Sequence, residues 1–195
     1  MTQVPTRAEA LELMHEYTES ASLRRHMYAV EAAMRAYAEK YGEDVELWGL
    51  TGLIHDFDYE RWPNDAHSPT EQHPSAGVAI LRERGWPEEV LDAVMAHADY
   101  TGVPATTLMA KTLRAVDELA GFITACALVR PTRISDLGAR SVKKKLKDKA
   151  FAAAVSREDI REGQEALGED FTEHIEFVIG AMRTIADELG LQSNA

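Results

Sequence analysis

Residues 45–61 read VELWGLTGLIHDFDYER, an almost unbroken apolar run that stops at a histidine and an aspartate. Its first ten residues show no alternation and no turn signal, which predicts a helix buried on most of its surface, beginning near Glu43. Such a helix has no need of His55 and Asp56 for its own packing. Its apolar body anchors it in the core, and its end presents two polar groups that must find partners there.

Outward from this segment the periodicity stays helical, with no convincing strand and no internal repeat. The predicted class is all-α, a single-domain helical bundle over residues 1–195 with a core at about 22–129 and C-terminal helices over 135–190. Thr6 and Glu9 form a capping box that starts a first helix, running to about Glu19. A second helix covers 22–41, where Gly42 stops it. After the 45–54 run, the polar, proline-containing YERWPNDAHSPTEQHP (59–74) must be a loop, long enough to be functional. Two short helices follow over 74–84 and 87–99, separated by Gly85, each with a proline in its first turn. PATTLMAKTLRAVDELAGFITACALV (104–129) is the longest apolar-periodic segment, and Pro131 ends it. Three more helices are predicted over 135–155, 156–168 and 170–190, with no linker of domain-boundary character between them.

The chain has 195 residues, 45% of them hydrophobic, enough to bury a proper core. The only cysteine, Cys126, lies in FITACALV and reads as a buried small hydrophobe, so no disulfide framework or cysteine zinc site is expected. The N-terminal sequence lacks a signal-peptide pattern and no segment reaches membrane-spanning length, so a cytoplasmic protein is expected. A formal net charge of −12 argues against a nucleic-acid duplex or an anionic membrane as partner. A homodimer is left open.

His26 shares a helical stripe with Val30, Ala33 and Tyr37, so it points inward. On the long helix Leu113, Val116 and Ala120 flank Asp117, while Arg114 and Glu118 form an i, i+4 pair on another face. A buried carboxylate must meet an arginine, several donors or a metal ion. His26, His55, Asp56 and Asp117 can satisfy one another through a divalent cation, which takes imidazole nitrogen and carboxylate oxygen together.

His26, the His55-Asp56 doublet and Asp117, in that order on successive helices, resemble the HD-domain superfamily of metal-dependent phosphohydrolases over about residues 22–129. The resemblance implies an HD-type helical fold and a site in which His26, His55, Asp56 and Asp117 hold a divalent ion, with His55 and Asp56 as the catalytic pair. The ion would lower the pKa of bound water and neutralise phosphoryl charge, giving hydrolysis of a nucleotide or another small phosphorylated substrate. Mn, Mg, Fe, Ni, Co and Zn are not distinguished. In dinuclear members two more histidines hold a second ion bridged by the doublet's aspartate, and His73 and His97 stand at those places in order. Each has a plain alternative, His97 as a core histidine bonded to a carbonyl and His73 as a helix-start residue. Many members carry glycine and then lysine soon after the doublet; Asp58 and Tyr59 stand there instead, which argues against lysine-assisted chemistry. Two other functions stay open, a dinuclear iron oxygenase and a regulatory module that keeps the metal site.

Asp58 reads first as a turn aspartate, with orientation of a ligand histidine as the alternative. His15, His67 and His174 read as ordinary histidines, His67 with a chance of touching substrate from the loop. RSVKKKLKDK (140–149) is the one basic run, and it reads first as a solvated face. The functional alternative is that Lys144, or Arg130 and Arg133, reaches over the cleft to substrate phosphate. Tyr59, Trp62 and Tyr100 neighbour the ligand segments and could stack a base or simply pack.

Overall fold

A computed structural model describes residues 4–193, and among them it contains nine α-helices and no strand. The all-α expectation holds. The helices are α1 Arg7–Tyr17, α2 Ala21–Tyr41, α3 Val45–Ile54, α4 Ser75–Glu83, α5 Glu88–His97, α6 Leu108–Leu128, α7 Ala139–Leu146, α8 Arg157–Leu167 and α9 Phe171–Arg183, with a 3-10 turn at Asp99–Thr101.

Local sequence explains most boundaries. The Thr6 hydroxyl accepts from the Glu9 amide while the Glu9 carboxylate accepts from the Thr6 amide, closing the expected capping box. Ser20, Asp44, Thr107, Ser156 and Asp170 each accept from an amide of the following first turn. Gly42, at φ 73°, ends α2 in the left-handed region that a side chain resists. Pro74 and Pro87 stand at the N-cap positions of α4 and α5, one residue earlier than the first-turn placement expected.

Two C-terminal boundaries depart from the sequence expectation. The helix expected over 135–155 survives only as α7, because beyond Leu146 side chains take over the backbone's hydrogen bonds. The Asp148 carboxylate accepts from the amides of Ala150 (3.1 Å) and Phe151 (3.3 Å), and the Arg157 guanidinium donates to the carbonyls of Phe151, Ala152 and Val155. Residues 148–155 therefore form turns. The last helix stops at Arg183 instead of continuing to Gly190; Thr184, Ile185 and Ala186 bond back three residues, and Arg183 donates to the Ile134 and Leu137 carbonyls.

One connected set of buried apolar side chains draws on all nine helices. α2 and α6, each 21 residues and about 30 Å long, are its central members. α3 lies so close to α2 that a Cβ on Gly52 would stand 2.9 Å from the Val30 carbonyl oxygen. This approach lets the end of α3 reach the same end of the bundle as the first turns of α2. No helix among the described residues is long and apolar enough to cross a membrane.

Candidate metal centre

Eight of the ten residues of α3 are buried, and the helix closes on His55 as its C-cap, with Asp56 next. His26 stands on the stripe that continues through buried Val30, Ala33 and Tyr37 of α2. Asp117 sits midway along α6, between buried Leu113, Val116 and Ala120. His97 is the last residue of α5, and His73 ends the long loop just before α4. Asn64 shapes that loop: its buried amide donates to the carbonyls of Ser68 (2.9 Å) and His73 (2.7 Å) and accepts from the Ser68 amide.

These six side chains converge. His26 Nε2 lies 2.9 Å and His55 Nε2 3.2 Å from Asp117 Oδ1, and the same two nitrogens lie 3.7 and 3.3 Å from Asp56 Oδ2. The other oxygen of Asp56, Oδ1, lies 3.3 Å from His73 Nε2 and 3.4 Å from His97 Nε2. Asp56 thus belongs to two groups of potential ligands, one with His26, His55 and Asp117 and one with His73 and His97.

In three of the four histidines the ring nitrogen turned away from this point is already committed. His55 Nδ1 donates to the Gly52 carbonyl (2.8 Å), His97 Nδ1 to the Val94 carbonyl (2.5 Å) and His73 Nδ1 to Asp58 Oδ1 (2.7 Å). A neutral imidazole that donates through Nδ1 carries its lone pair on Nε2. Three such lone pairs then face carboxylate oxygens, a repulsive arrangement unless a cation lies between. Donors bound at about 2.1 Å to one ion stand roughly 3.0–3.4 Å apart at octahedral or tetrahedral angles. Of the six separations only His26–Asp56, at 3.7 Å, lies clearly outside that range, so the residues fit a metal-binding role.

Charge distribution tells the same story. Burial alone would push His55 down, but the Asp56 and Asp117 carboxylates draw it well above the ordinary imidazole range. Burial would raise both carboxylates, yet the histidines hold Asp56 well below and Asp117 below the ordinary range. Both shifts have one cause, carboxylates packed against imidazoles in a buried site that favours a positive charge between them. Glu118, beside Asp117, is pushed up to about 7 by burial and by the Asp117 charge.

Asp58 lies in the turns that follow α3, but its side chain does more than serve a turn. It is fully buried, accepts from His73 Nδ1 through Oδ1 and from the Gly77 amide (2.7 Å) through Oδ2. A Cβ at position 77 would stand 2.6 Å from the Asp58 carboxyl carbon, so glycine there is what admits the carboxylate. The orienting role, weighed second from sequence, is the one the packing favours.

Five of the six donors, all but the fully buried His55, line a cleft of about 670 Å3 together with Tyr59, His67, Tyr100, Arg114 and the 154–156 segment. Lys144, Arg130 and Arg133 do not reach it. Arg130 and Lys144 border a separate hollow beside Cys126, Arg130 pairs with Asp136 at 2.7 Å, and Arg133 donates to the Leu128 carbonyl. The helix runs from Asp117 to Leu128, about 16 Å at 1.5 Å per residue, before α6 ends, which is why the basic stretch lies away from the cleft. Their assignment to substrate phosphate is corrected accordingly. Arg114, overlooked as a cleft residue, lines the cleft and pairs with Glu162 (3.2 Å), not with Glu118. Trp62 packs on Tyr17 outside the cleft, whereas His67 lies inside it, stacked on Tyr100 with ring centroids 4.7 Å apart. His174 is satisfied on both nitrogens and His15 is exposed beside Tyr28, both as expected. Among the missed residues, Asn64 had only its turn-forming PND context as a signal, and nothing in the local pattern singles out Arg114.

A family model described as HD domain matches residues 23–121, just over half of the chain and every one of the six donors. No curated protein and no solved structure matches the chain.

Proposed function

The chain belongs to the HD-domain family, in general a family of metal-dependent phosphohydrolases, and on that premise we propose that it hydrolyses the phosphate ester of a small metabolite with a metal-activated water. The observation that carries this reading is the division of Asp56, whose Oδ2 faces His26 and His55 while Oδ1 faces His73 and His97. One carboxylate shared in this way suits two adjacent divalent ions, the first held by His26, His55, Asp56 and Asp117 and the second by Asp56, His73 and His97. Ions bound there would supply a hydroxide at neutral pH and neutralise charge on a phosphoryl oxygen.

The protein's own contribution is orientation and charge. Backbone carbonyls fix the rings of His55 and His97, and Asp58 fixes His73, so that Nε2 of each is held toward the Asp56 carboxylate. Two carboxylates and four neutral imidazoles do not cancel the charge of two divalent ions, which leaves the centre net positive toward a phosphoryl dianion.

Metal analysis of freshly purified protein, followed by a phosphate-ester panel with several divalent ions, tests the proposal. Expected are bound metal and ester hydrolysis that a chelator abolishes. Full metal loading with no ester hydrolysed would overturn hydrolysis and favour a binding module. Bound iron with oxygen consumption would point to a dinuclear oxygenase.

A further inference from the structure

The cleft lined by five of the six donors has predominantly acidic walls. Apart from the donors themselves, its charged lining residues are Asp65, Asp99, Glu118 and Asp159 against the single cation Arg114. Arg114 is already engaged by Glu162, and no ion pair forms with Asp65, Asp99 or Asp159 among the described residues. The one strongly basic stretch of the chain lies elsewhere, around the hollow beside Cys126. The floor and the walls therefore make opposite demands. The floor carries the imidazoles of His73 and His97, each about 5% exposed or less and with Nε2 directed at Asp56, and suits metal and phosphoryl oxygen. The walls repel every further negative charge.

Aromatic surface lies between the two. Tyr59, 43% exposed, meets the His73 ring edge-on, and Tyr100 stacks on His67, so both present aromatic surface to the cleft. Aromatic faces among carboxylates form a favourable environment for an organic cation.

We infer that the substrate is a phosphate monoester whose alcohol part carries a positive charge, an alkylammonium phosphate, seated with its phosphoryl group on the metal floor and its ammonium among Asp65, Asp99 and Asp159. The inference rests on the phosphohydrolase reading for the floor and on the wall charges for the rest. Nucleoside di- and triphosphates are disfavoured, because their additional phosphates meet carboxylates with no cation left to receive them.

Binding and turnover separate the two layers. Calorimetry on the metal-loaded protein uses ethyl phosphate, 2-aminoethyl phosphate and ADP as probes, since the first two differ by one ammonium group. The expected result is at least about tenfold tighter binding of 2-aminoethyl phosphate than of ethyl phosphate, with a ratio that shrinks as ionic strength rises. Asp99→Asn and Asp159→Asn should each reduce that ratio. Equal affinity for the two monoesters, tighter binding of ADP, or binding of neither monoester would overturn the inference. Phosphate release from the same probes is read separately: preferential binding of 2-aminoethyl phosphate without release of phosphate refutes hydrolysis and leaves the charge preference standing.

Discussion

His55 and His174 are both fully buried, yet their surroundings ask opposite things of them. His174 Nε2 donates to the Ala115 carbonyl (3.0 Å) and its Nδ1 accepts from the Tyr37 hydroxyl (2.6 Å), so the neutral ring is complete. Burial pushes its pKa down, as it does for any imidazole with no carboxylate close enough to win. His55 completes only Nδ1, on Gly52, and turns Nε2 toward two carboxylates that draw its pKa up against the same burial. Burial therefore does not separate a structural histidine from a metal donor. What separates them is whether the second nitrogen has a partner that a neutral ring can satisfy.

The sharpest way to break this comparison is to remove the carboxylate that makes His55 different. Asp56→Ala takes an oxygen from both groups of donors and should lower hydrolysis by at least about a thousandfold, with loss of bound metal. Near-normal activity would leave His55 no different from His174. Next in size, His97→Ala should reduce the metal content from about two ions to about one while the other donors keep the first group intact. Unchanged stoichiometry with a lowered unfolding midpoint would move His97 to the structural side. Asp58→Asn keeps the size of the group that orients His73 and removes its charge; affinity for the second ion should weaken by roughly 10- to 100-fold, read by metal titration. If both ions bind as before, the Asp58 contact serves packing alone.

The smallest effect belongs to His174. His174→Leu leaves the Tyr37 hydroxyl and the Ala115 carbonyl without partners and should cost about 1–3 kcal/mol with no change in metal content. Its pH dependence has a definite sign. The folded pKa lies below the unfolded value of about 6.5, so the wild-type ring contributes stability above that pH and loses it as the pH falls toward the folded value. The penalty of the substitution should accordingly shrink between about pH 7.5 and about pH 5.5. A penalty that grows on acidification would show that His174 is protonated in the folded state.

Four of the donors were legible because helical periodicity fixes which way a side chain faces, and His26, Asp117 and the end of the 45–54 run all interrupt apolar stripes, whereas His73 and His97 were offered as donors only by the order of the family's motif. The ends of helices before turns were legible less well. At 148–155 the competing hydrogen bonds of Asp148 and Arg157 are made across several residues, and no propensity argument anticipates that an arginine will gather four carbonyls. Asp58 was misweighted for a related reason: its partners, His73 and Gly77, lie 15 and 19 residues away. The basic stretch misled through charge alone, since a net positive segment in an acidic chain invites a phosphate, and only the length of α6 shows how far off it stands.

All six donors come from the chain between His26 and Asp117, whereas Val155, Ser156 and Asp159, on the facing wall, come from a stretch nearly forty residues later. One part of the wall, with Asp159, is thus encoded apart from the donors, whereas Asp65 and Asp99 lie in the same stretch as they do. A descendant of this protein can acquire a new substrate by changing the stretch around residues 154–159 without risking the reaction itself. The same separation makes that stretch a natural place to exchange one part of the wall while the donors stay fixed.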